Sequence, residues 1–169
     1  MHPEFSELFD QLAPGVLRYL RRLTGSRSAA EDILQETFLK LHVQLTQQVE
    51  LQNVRAWVFR VATNLARDRE RHRRLERGEM VPQAGAAVVE FESRLHRQQV
   101  TRRALARLSP RMRRVLLLWS EGFVYKEIAD ITGIEPGYVG VLLQRARAAF
   151  KKTYEEQDVE RGETGRRRG

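Results

Sequence analysis

Apolar residues recur at helical spacing along almost the whole chain. Phe5, Leu8, Phe9 and Leu12 form one stripe, and Val16, Leu17, Leu20 and Leu23 continue it. A kink or break is predicted at Pro14-Gly15, where a backbone donor is missing, and a stop at Gly25. Ser28-Ala29-Ala30-Glu31 has the form of a capping box: the serine hydroxyl accepts from the Glu31 N–H and the glutamate carboxylate accepts from the Ser28 N–H. The helix it opens is predicted to bury Leu34, Phe38, Leu41 and Leu45. Asn53 is placed to cap a third helix whose inner face carries Trp57, Val61 and Leu65.

The periodicity then stops. Residues 78–89, GEMVPQAGAAVV, are poor in charge and rich in Gly, Pro and Ala, a linker composition. Helical spacing resumes near Phe91 and runs to Leu108; Ser109-Pro110 reads as an N-cap with Pro at the first helical position, and Gly122 ends the helix that follows. Residues 125–147 read as helix, tight turn, helix. Ile128, Ala129 and Ile131 face inward, Gly133 turns the chain, Pro136 opens the second helix, and Val139, Leu142, Leu143 and Ala146 form its buried stripe. That leaves Tyr138, Gln144, Arg145 and Arg147 facing outward. Such a hairpin places a helix in a groove of duplex DNA, or is merely two packed helices. The reading is an all-α protein of two small helical domains joined by a flexible linker, the second domain containing a helix-turn-helix. The boundaries are 1–77, a linker over 78–91, 92–153, and a tail over 154–169 expected to be disordered.

Charge sharpens this picture. The 169 residues carry a formal net charge of +8, but residues 1–50 hold 5 Lys/Arg against 7 Asp/Glu, residues 51–76 hold 7 against 3, and residues 101–150 hold 9 against 4. Two separate cationic blocks fit polyanion binding at two places better than a uniformly solubilising surface does. Cysteine is absent, so disulfides, thiolate metal sites and cysteine nucleophiles are excluded. The first residues are acidic and amphipathic, unlike a signal peptide, and the longest strongly apolar run, Val115 to Trp119, is far too short to span a membrane. A cytoplasmic protein without membrane insertion is expected.

Two exposed faces carry candidate chemistry. Asp32, Gln35, Glu36 and Leu39 fall at i, i+3, i+4 and i+7, an acidic, amide-rich stripe containing a leucine. It is either a docking surface or a solvated face with one incidental Leu. Arg60, Asn64, Arg67, Arg71 and Arg74 form a basic ridge on the next helix, with few opposite charges at i±4 within the ridge. An external anion would offset the repulsion, and phosphate is the natural candidate.

With EDILQETFL at 31–39, WVFRVATNLARDRER at 57–71, a variable linker, and LSPRMRRVLLLWSEGFVYKEIADITGI after it, the chain resembles a σ factor of the bacterial σ70 family, in its small extracytoplasmic-function group. The resemblance covers roughly residues 5–150 and is most specific at Asp32 to Leu39. It implies a first domain that binds the clamp helices of core RNA polymerase and the −10 promoter element. It implies a second domain that binds the polymerase flap and the −35 element. Asp32, Gln35, Glu36 and Leu39 would then dock on polymerase. Asn64, Arg67, Asp68 and Arg71 would meet the −10 element, with Arg60 and Arg74 extending the contact along the backbone. The stretch QLTQQVELQ matches the loop that holds a flipped non-template base, and the linker would thread toward the active-site and RNA-exit channels. An anti-σ partner is common in the family, although nothing in the chain identifies one.

The sequence departs from the family where a T-V-K-S-R-like string is usual: Tyr138-Val139-Gly140-Val141-Leu142 stands there. Binding of the −35 element is therefore expected chiefly through the backbone, from Arg145 and Arg147, with help from Tyr138 and Gln144. Val124 stands where a Ser or Thr cap is usual, which predicts a fraying first helix in the hairpin. Two other function classes compete. One is a dimeric helix-turn-helix regulator that binds operator DNA without joining polymerase. The other is an enzyme, for instance a nuclease using Asp68 and Glu70. Those two carboxylates are i and i+2 on a helix and point apart, and His2, His42, His72 and His96 have no metal-ligand spacing. No catalysis, metal or cofactor is expected.

Overall fold

The computed structural model describes the backbone of residues 3–77 and 94–166, and the side chains of residues 5–76 and 98–156. The described residues are all-α: α1 Pro3–Thr24, α2 Arg27–Thr46, α3 Val54–Arg77, α4 Arg94–Ala106, α5 Pro110–Ser120, α6 Tyr125–Thr132 and α7 Pro136–Arg166. The linker expected over 78–91 lies outside the described residues. Helix α7 runs on to Arg166, past the end of order expected near Lys152. Good helix formers such as Glu, Gln and Arg extend it beyond the last apolar turns, through Gly162 and Gly165.

Several start and stop signals act as read. The Asn53 side chain accepts from Ala56 N at 2.9 Å, and Ser109 Oγ accepts from Met112 N at 3.3 Å, with Pro110 in the first turn of α5. Gly133 takes the left-handed conformation, φ 70°, and its N–H closes on the Ala129 carbonyl. Two signals were misread. Helix α1 is continuous through Pro14, whose missing donor concerns the carbonyl of the exposed Asp10, so the lost bond faces solvent. The cap of α2 is Ser26, not Ser28. Ser26 has extended backbone and accepts from Ala29 N, so Ser28 lies inside the first turn. Glu31 is thereby free to pair with Arg27 at 2.7 Å and Arg21 at 3.2 Å, and the Arg27 hydrogen bond holds its carboxyl below the usual range.

The buried faces are also rotated from the bulkiest stripe. On α2 the buried residues are Ala30, Ile33, Thr37, Phe38 and Leu41, with Leu34 and Leu45 half-buried at the edge. On α3 they are Val58, Phe59, Ala62, Thr63 and Ala66, whereas Trp57, Val61 and Leu65 are half-buried. The small residues Ala62, Thr63 and Ala66 let α3 approach its neighbours closely. Thr63 donates to the Phe59 carbonyl at 2.6 Å, so its hydroxyl can only accept from Tyr19 OH, 2.9 Å away. Tyr19 is fully buried, and burial pushes its pKa up to about 12.

The two halves share one core rather than hanging as separate beads. Phe59 of α3 meets Phe123 edge-on, with centroids 4.8 Å apart. The turn between α5 and α6 docks against α1 and α3. Arg18 grips Glu121 with two parallel hydrogen bonds, 3.0 and 2.5 Å, and the Glu121 side chain is only 6% exposed. Arg55 donates to the Glu121 carbonyl and lies over the Phe123 ring, 4.0 Å from its centroid. Asn53 donates to Glu127 at 3.2 Å, joining the caps of α3 and α6.

Removing either partner of the Arg18–Glu121 fork should destabilise the full chain. A double-mutant cycle of Arg18→Ala and Glu121→Ala, read by denaturant unfolding, should give a coupling of about 1 kcal/mol or more, because a forked pair with one buried member exceeds an ordinary surface pair. Strictly additive effects would show that this pair does not hold the halves together. Tyr19 predicts a second effect. Its folded pKa lies above the unfolded value of about 10, so its contribution is intact below pH 10 and is lost as pH rises toward 12. Unfolding free energy should fall by about 2–3 kcal/mol across that window, and Tyr19→Phe should lose this component. Identical pH profiles for the two proteins would refute the assignment.

Candidate nucleic-acid and polymerase interfaces

Helix α2 presents Asp32, Gln35, Glu36 and Leu39 along one side, because Ile33, Thr37 and Phe38 are drawn into the core on the other. Leu39 is 59% exposed, too open for a core residue. The acidic pair is held from α3 by Arg69, whose guanidinium reaches Asp32 at 3.5 Å and Glu36 at 3.4 Å, with Lys40 3.8 Å from Glu36. Sequence reasoning missed Arg69. It lies off the Arg60-to-Arg74 ridge, on the side of α3 turned to α2, opposite two carboxylates one turn apart. It fixes their orientation while leaving both partly exposed.

The basic ridge runs along α3 as spaced. Arg60, Arg67 and Arg71 are exposed, and Asn64 and Arg74 are half-buried. The idea that only an external anion relieves the repulsion needs correcting. Asp68 sits between Arg67 and Arg71, 3.8 and 3.9 Å from them, and Glu70 accepts from Arg74. Internal carboxylates therefore orient three of the arginines. Arg60 has no ion partner among the described residues. Asp68 and Glu70 face different arginines, and among the described residues no three His, Asp or Glu side chains cluster as metal ligands.

In the hairpin, Ile128, Ala129 and Ile131 of α6 and Val139, Leu142, Leu143 and Ala146 of α7 are buried against one another. This leaves Tyr138, Gln144, Arg145 and Arg147 exposed. Arg145 donates to Tyr138 OH at 3.4 Å, and Arg147 lies over the Trp119 ring, 5.0 Å from its centroid. The unusual stretch resolves into three roles. Leu142 is core, only 6% exposed. Gly140 makes room for Tyr125, since a Cβ there would stand 3.3 Å from the Tyr125 ring. Val141 alone of the three faces outward. Trp119 and Tyr125, 41% and 50% exposed, thus add aromatic surface beside the arginines, which sequence reasoning did not foresee. The expected weakness at Val124 is also offset. Val124 has no acceptor to offer, but the Glu127 carboxylate accepts from the Val124 N–H at 3.0 Å.

Comparison with known proteins matches both halves. Residues 8–76 match the Sigma-70 region 2 family and residues 98–150 the Sigma-70, region 4 family. The chain is 30% identical to the RNA polymerase sigma factor CarQ of Myxococcus xanthus, over 92% of each protein. It is 33% identical to the ECF RNA polymerase sigma factor SigL of Mycobacterium tuberculosis, over 91% of this chain and 90% of the relative. In fold it is similar to the sigma factor RpoE solved with the anti-sigma factor NepR from Bartonella quintana, with a TM-score of 0.76 and 23% identity over 90% of this chain and 97% of that one. Region 2 occupies the half that a dimeric operator-binding regulator would devote to dimerisation or signal binding, so that reading is set aside. The chain belongs to the σ70 family, in its extracytoplasmic-function group, and is an initiation factor that directs core RNA polymerase to promoters.

Proposed function

We propose that three surfaces divide this work. The α2 face of Asp32, Gln35, Glu36 and Leu39 docks on the clamp helices of polymerase. The α3 residues Arg60, Asn64, Arg67, Asp68, Arg71 and Arg74 engage the −10 element. Tyr138, Gln144, Arg145 and Arg147 of α7 meet the −35 element, and the 92–153 unit that carries them also meets the flap. The observation that carries this reading is the junction of α2 and α3. An exposed leucine ringed by ordered carboxylates lies across Arg69 from a cationic ridge, so one rigid unit offers a polymerase-facing and a DNA-facing side. Leucine supplies apolar area and the carboxylates complement a basic partner, while the arginines displace counterions from the phosphate backbone. Asp68 also lies 3.8 and 3.9 Å from Arg67 and Arg71, the two arginines on either side of it in the ridge.

At the −35 element, with Leu142 buried and Gly140 covered by Tyr125, the groups left to α7 are two arginines, a phenol and an amide. They favour backbone anchoring over dense base reading, and discrimination then rests mainly on the first domain and on DNA shape. The protein performs no chemistry of its own and acts in the cytoplasm beside polymerase. Among the described residues no helix is long and apolar enough to cross a membrane. An anti-σ inhibitor is a further expected partner, in keeping with the sigma factor of similar fold solved with the anti-sigma factor NepR.

Glu36→Arg should weaken core polymerase binding at least tenfold, a change of about 1.4 kcal/mol. The fold should survive, because the pairs lost to Arg69 and Lys40 are partly exposed and worth about 0–1 kcal/mol. Unchanged affinity with an intact circular dichroism spectrum would sink the docking assignment. For DNA, Arg67→Ala, Arg71→Ala and Arg145→Ala in the holoenzyme should each lower the salt slope of promoter binding by about one. On a library randomised at −35, Arg145→Ala should leave the ranking of sequences unchanged. A sharp multi-base preference, abolished by altering Tyr138 or Gln144, would show that α7 reads bases directly.

A further inference from the structure

Between the two halves lies a cleft of about 130 Å³ that none of the surfaces above explains. Helix α3 lines it with Arg67, Arg69, Glu70 and Arg73, and α5 lines it with Arg113 and Arg114. The guanidinium groups differ in what they already hold. Arg113 donates to the carbonyls of Leu105, Ala106, Leu108 and Leu23, tying the end of α4 and the end of α1 to α5. Arg69 is turned to Asp32 and Glu36, and Glu70 is taken by Arg74. Arg114 is half-buried and Arg73 exposed, and neither makes a hydrogen bond or ion pair with a described residue. Arg67 has only the 3.8 Å approach to Asp68.

A half-buried guanidinium that makes no hydrogen bond within the described protein leaves its donors to solvent or to a bound anion, and closing the halves brings it against further positive charge. Burial lowers the pKa of Arg114, and the nearby Arg67 and Arg111 act in the same direction, against Tyr19 and Glu70. The fold thus concentrates positive charge from two helices around an open space and provides one carboxylate, already engaged, to balance it.

We propose that this cleft binds a phosphate group, held by Arg67 and Arg73 from α3 and by Arg114 from α5. Tetrahedral oxyanions match the forked donors of guanidinium groups, and several such forks around one small space suit a dianion better than a single carboxylate. The volume admits a phosphate but not a nucleoside, since pockets for drug-sized ligands begin near 300 Å³. The ligand is therefore free phosphate or the terminal phosphate of a nucleotide whose base stays outside. Because its donors come from both halves, the bound phosphate stabilises the closed arrangement by mass action. Arg67 also belongs to the ridge assigned to promoter DNA. Competition between the ligand and DNA for that side chain rests on the preceding functional reading, whereas binding itself does not.

Titration calorimetry of the full chain without polymerase or DNA tests the site. Inorganic phosphate, adenosine 5′-monophosphate and adenosine are titrated at constant ionic strength against a chloride background. Saturable one-to-one binding of phosphate, weakened at least tenfold by Arg114→Gln and by Arg73→Gln but not by Arg111→Gln, is the expected result. Arg111 is exposed on the same helix and lies outside the lining, so it controls for general charge. Adenosine monophosphate binding more tightly than phosphate identifies a nucleotide as the source, and equal or weaker binding identifies the free ion. No saturable heat up to tens of millimolar, or equal losses in all three variants, overturns the site. The chain contains no cysteine, so Ser6→Cys on α1 and Asp130→Cys on α6, both exposed positions, accept a pair of spin labels cleanly. Phosphate should narrow the distance distribution between them in the unaltered cleft and have no effect with Arg114→Gln. A distribution indifferent to phosphate in both proteins overturns the linkage to closure, and this readout stands even if a calorimetric variant is poorly folded.

Discussion

The docking of the Glu121-Gly122-Phe123 turn into the notch between α1 and α3 is the constraint that organises this molecule. A helix-turn-helix unit of about 60 residues sits near the lower limit at which a single core sustains itself. Here it does not have to. Phe123 enters the aromatic cluster of Tyr19 and Phe59, and Arg55 covers the Phe123 ring while satisfying the Glu121 carbonyl. The Glu121 side chain is almost fully buried, which is tolerable because Arg18 meets both of its oxygens. The same turn sets where α6 begins. Glu127 caps that helix through Val124 N and accepts from Asn53, the cap of α3, so the orientation of the hairpin and that of the ridge helix are tied at one point.

Much of the helical layout was legible in the sequence because it rests on local chemistry. Asn53, Ser109-Pro110 and Gly133 act through a side chain or a dihedral angle that neighbouring residues alone determine. The inward faces of α6 and α7 were legible for a related reason: each has a single buried stripe, so periodicity reports it directly. Helix α3 was read one residue out of phase because it is covered on more than one side. Its closest contacts are made by Ala62, Thr63 and Ala66, which a search for bulky apolar residues passes over. The capping box at Ser28 failed to a competitor two residues earlier, where Gly25 leaves the chain positioned for Ser26 to cap.

The surfaces show a different limit. Spacing alone found the residues that share the α2 face and the α3 ridge, since 3.6 residues per turn fixes which side chains align. Which charges neutralise which was not legible, because it depends on the separation of two helices. Arg69 looks like one more member of a basic run, yet it crosses to Asp32 and Glu36. Asp68 looks like an exception within that run, yet it is the carboxylate that positions Arg67 and Arg71. A similar cancellation operates at Gly140. In the sequence it reads as a contact deleted from α7; in the structure the ring of Tyr125, from the preceding helix, crowds that position, 3.3 Å from where a Cβ would stand. The hairpin surface is thus composed jointly by α5, α6 and α7, and its aromatic character comes from Trp119 and Tyr125 as much as from α7 itself.

Geometry also bounds what the closed arrangement can do. Two promoter elements named for positions −10 and −35 are separated by about 25 base pairs, or roughly 85 Å of duplex at about 3.4 Å per step. A compact body of this chain's length has a radius of gyration of about 15 Å and spans roughly 40 Å, and the 31-residue α7 reaches only about 47 Å. With α3 and α7 fixed to one core, the two surfaces proposed to face DNA cannot reach both elements at once. Simultaneous engagement requires the Glu121 turn to leave its notch, breaking the Arg18 fork and exposing Phe59 and Phe123. The cost of that step falls on contacts that lie outside all three binding surfaces. On the proposed assignment, the affinity of those surfaces and the ease of opening are therefore separable in the sequence, one set by α2, the α3 ridge and α7, the other by Arg18, Arg55, Glu121 and Phe123.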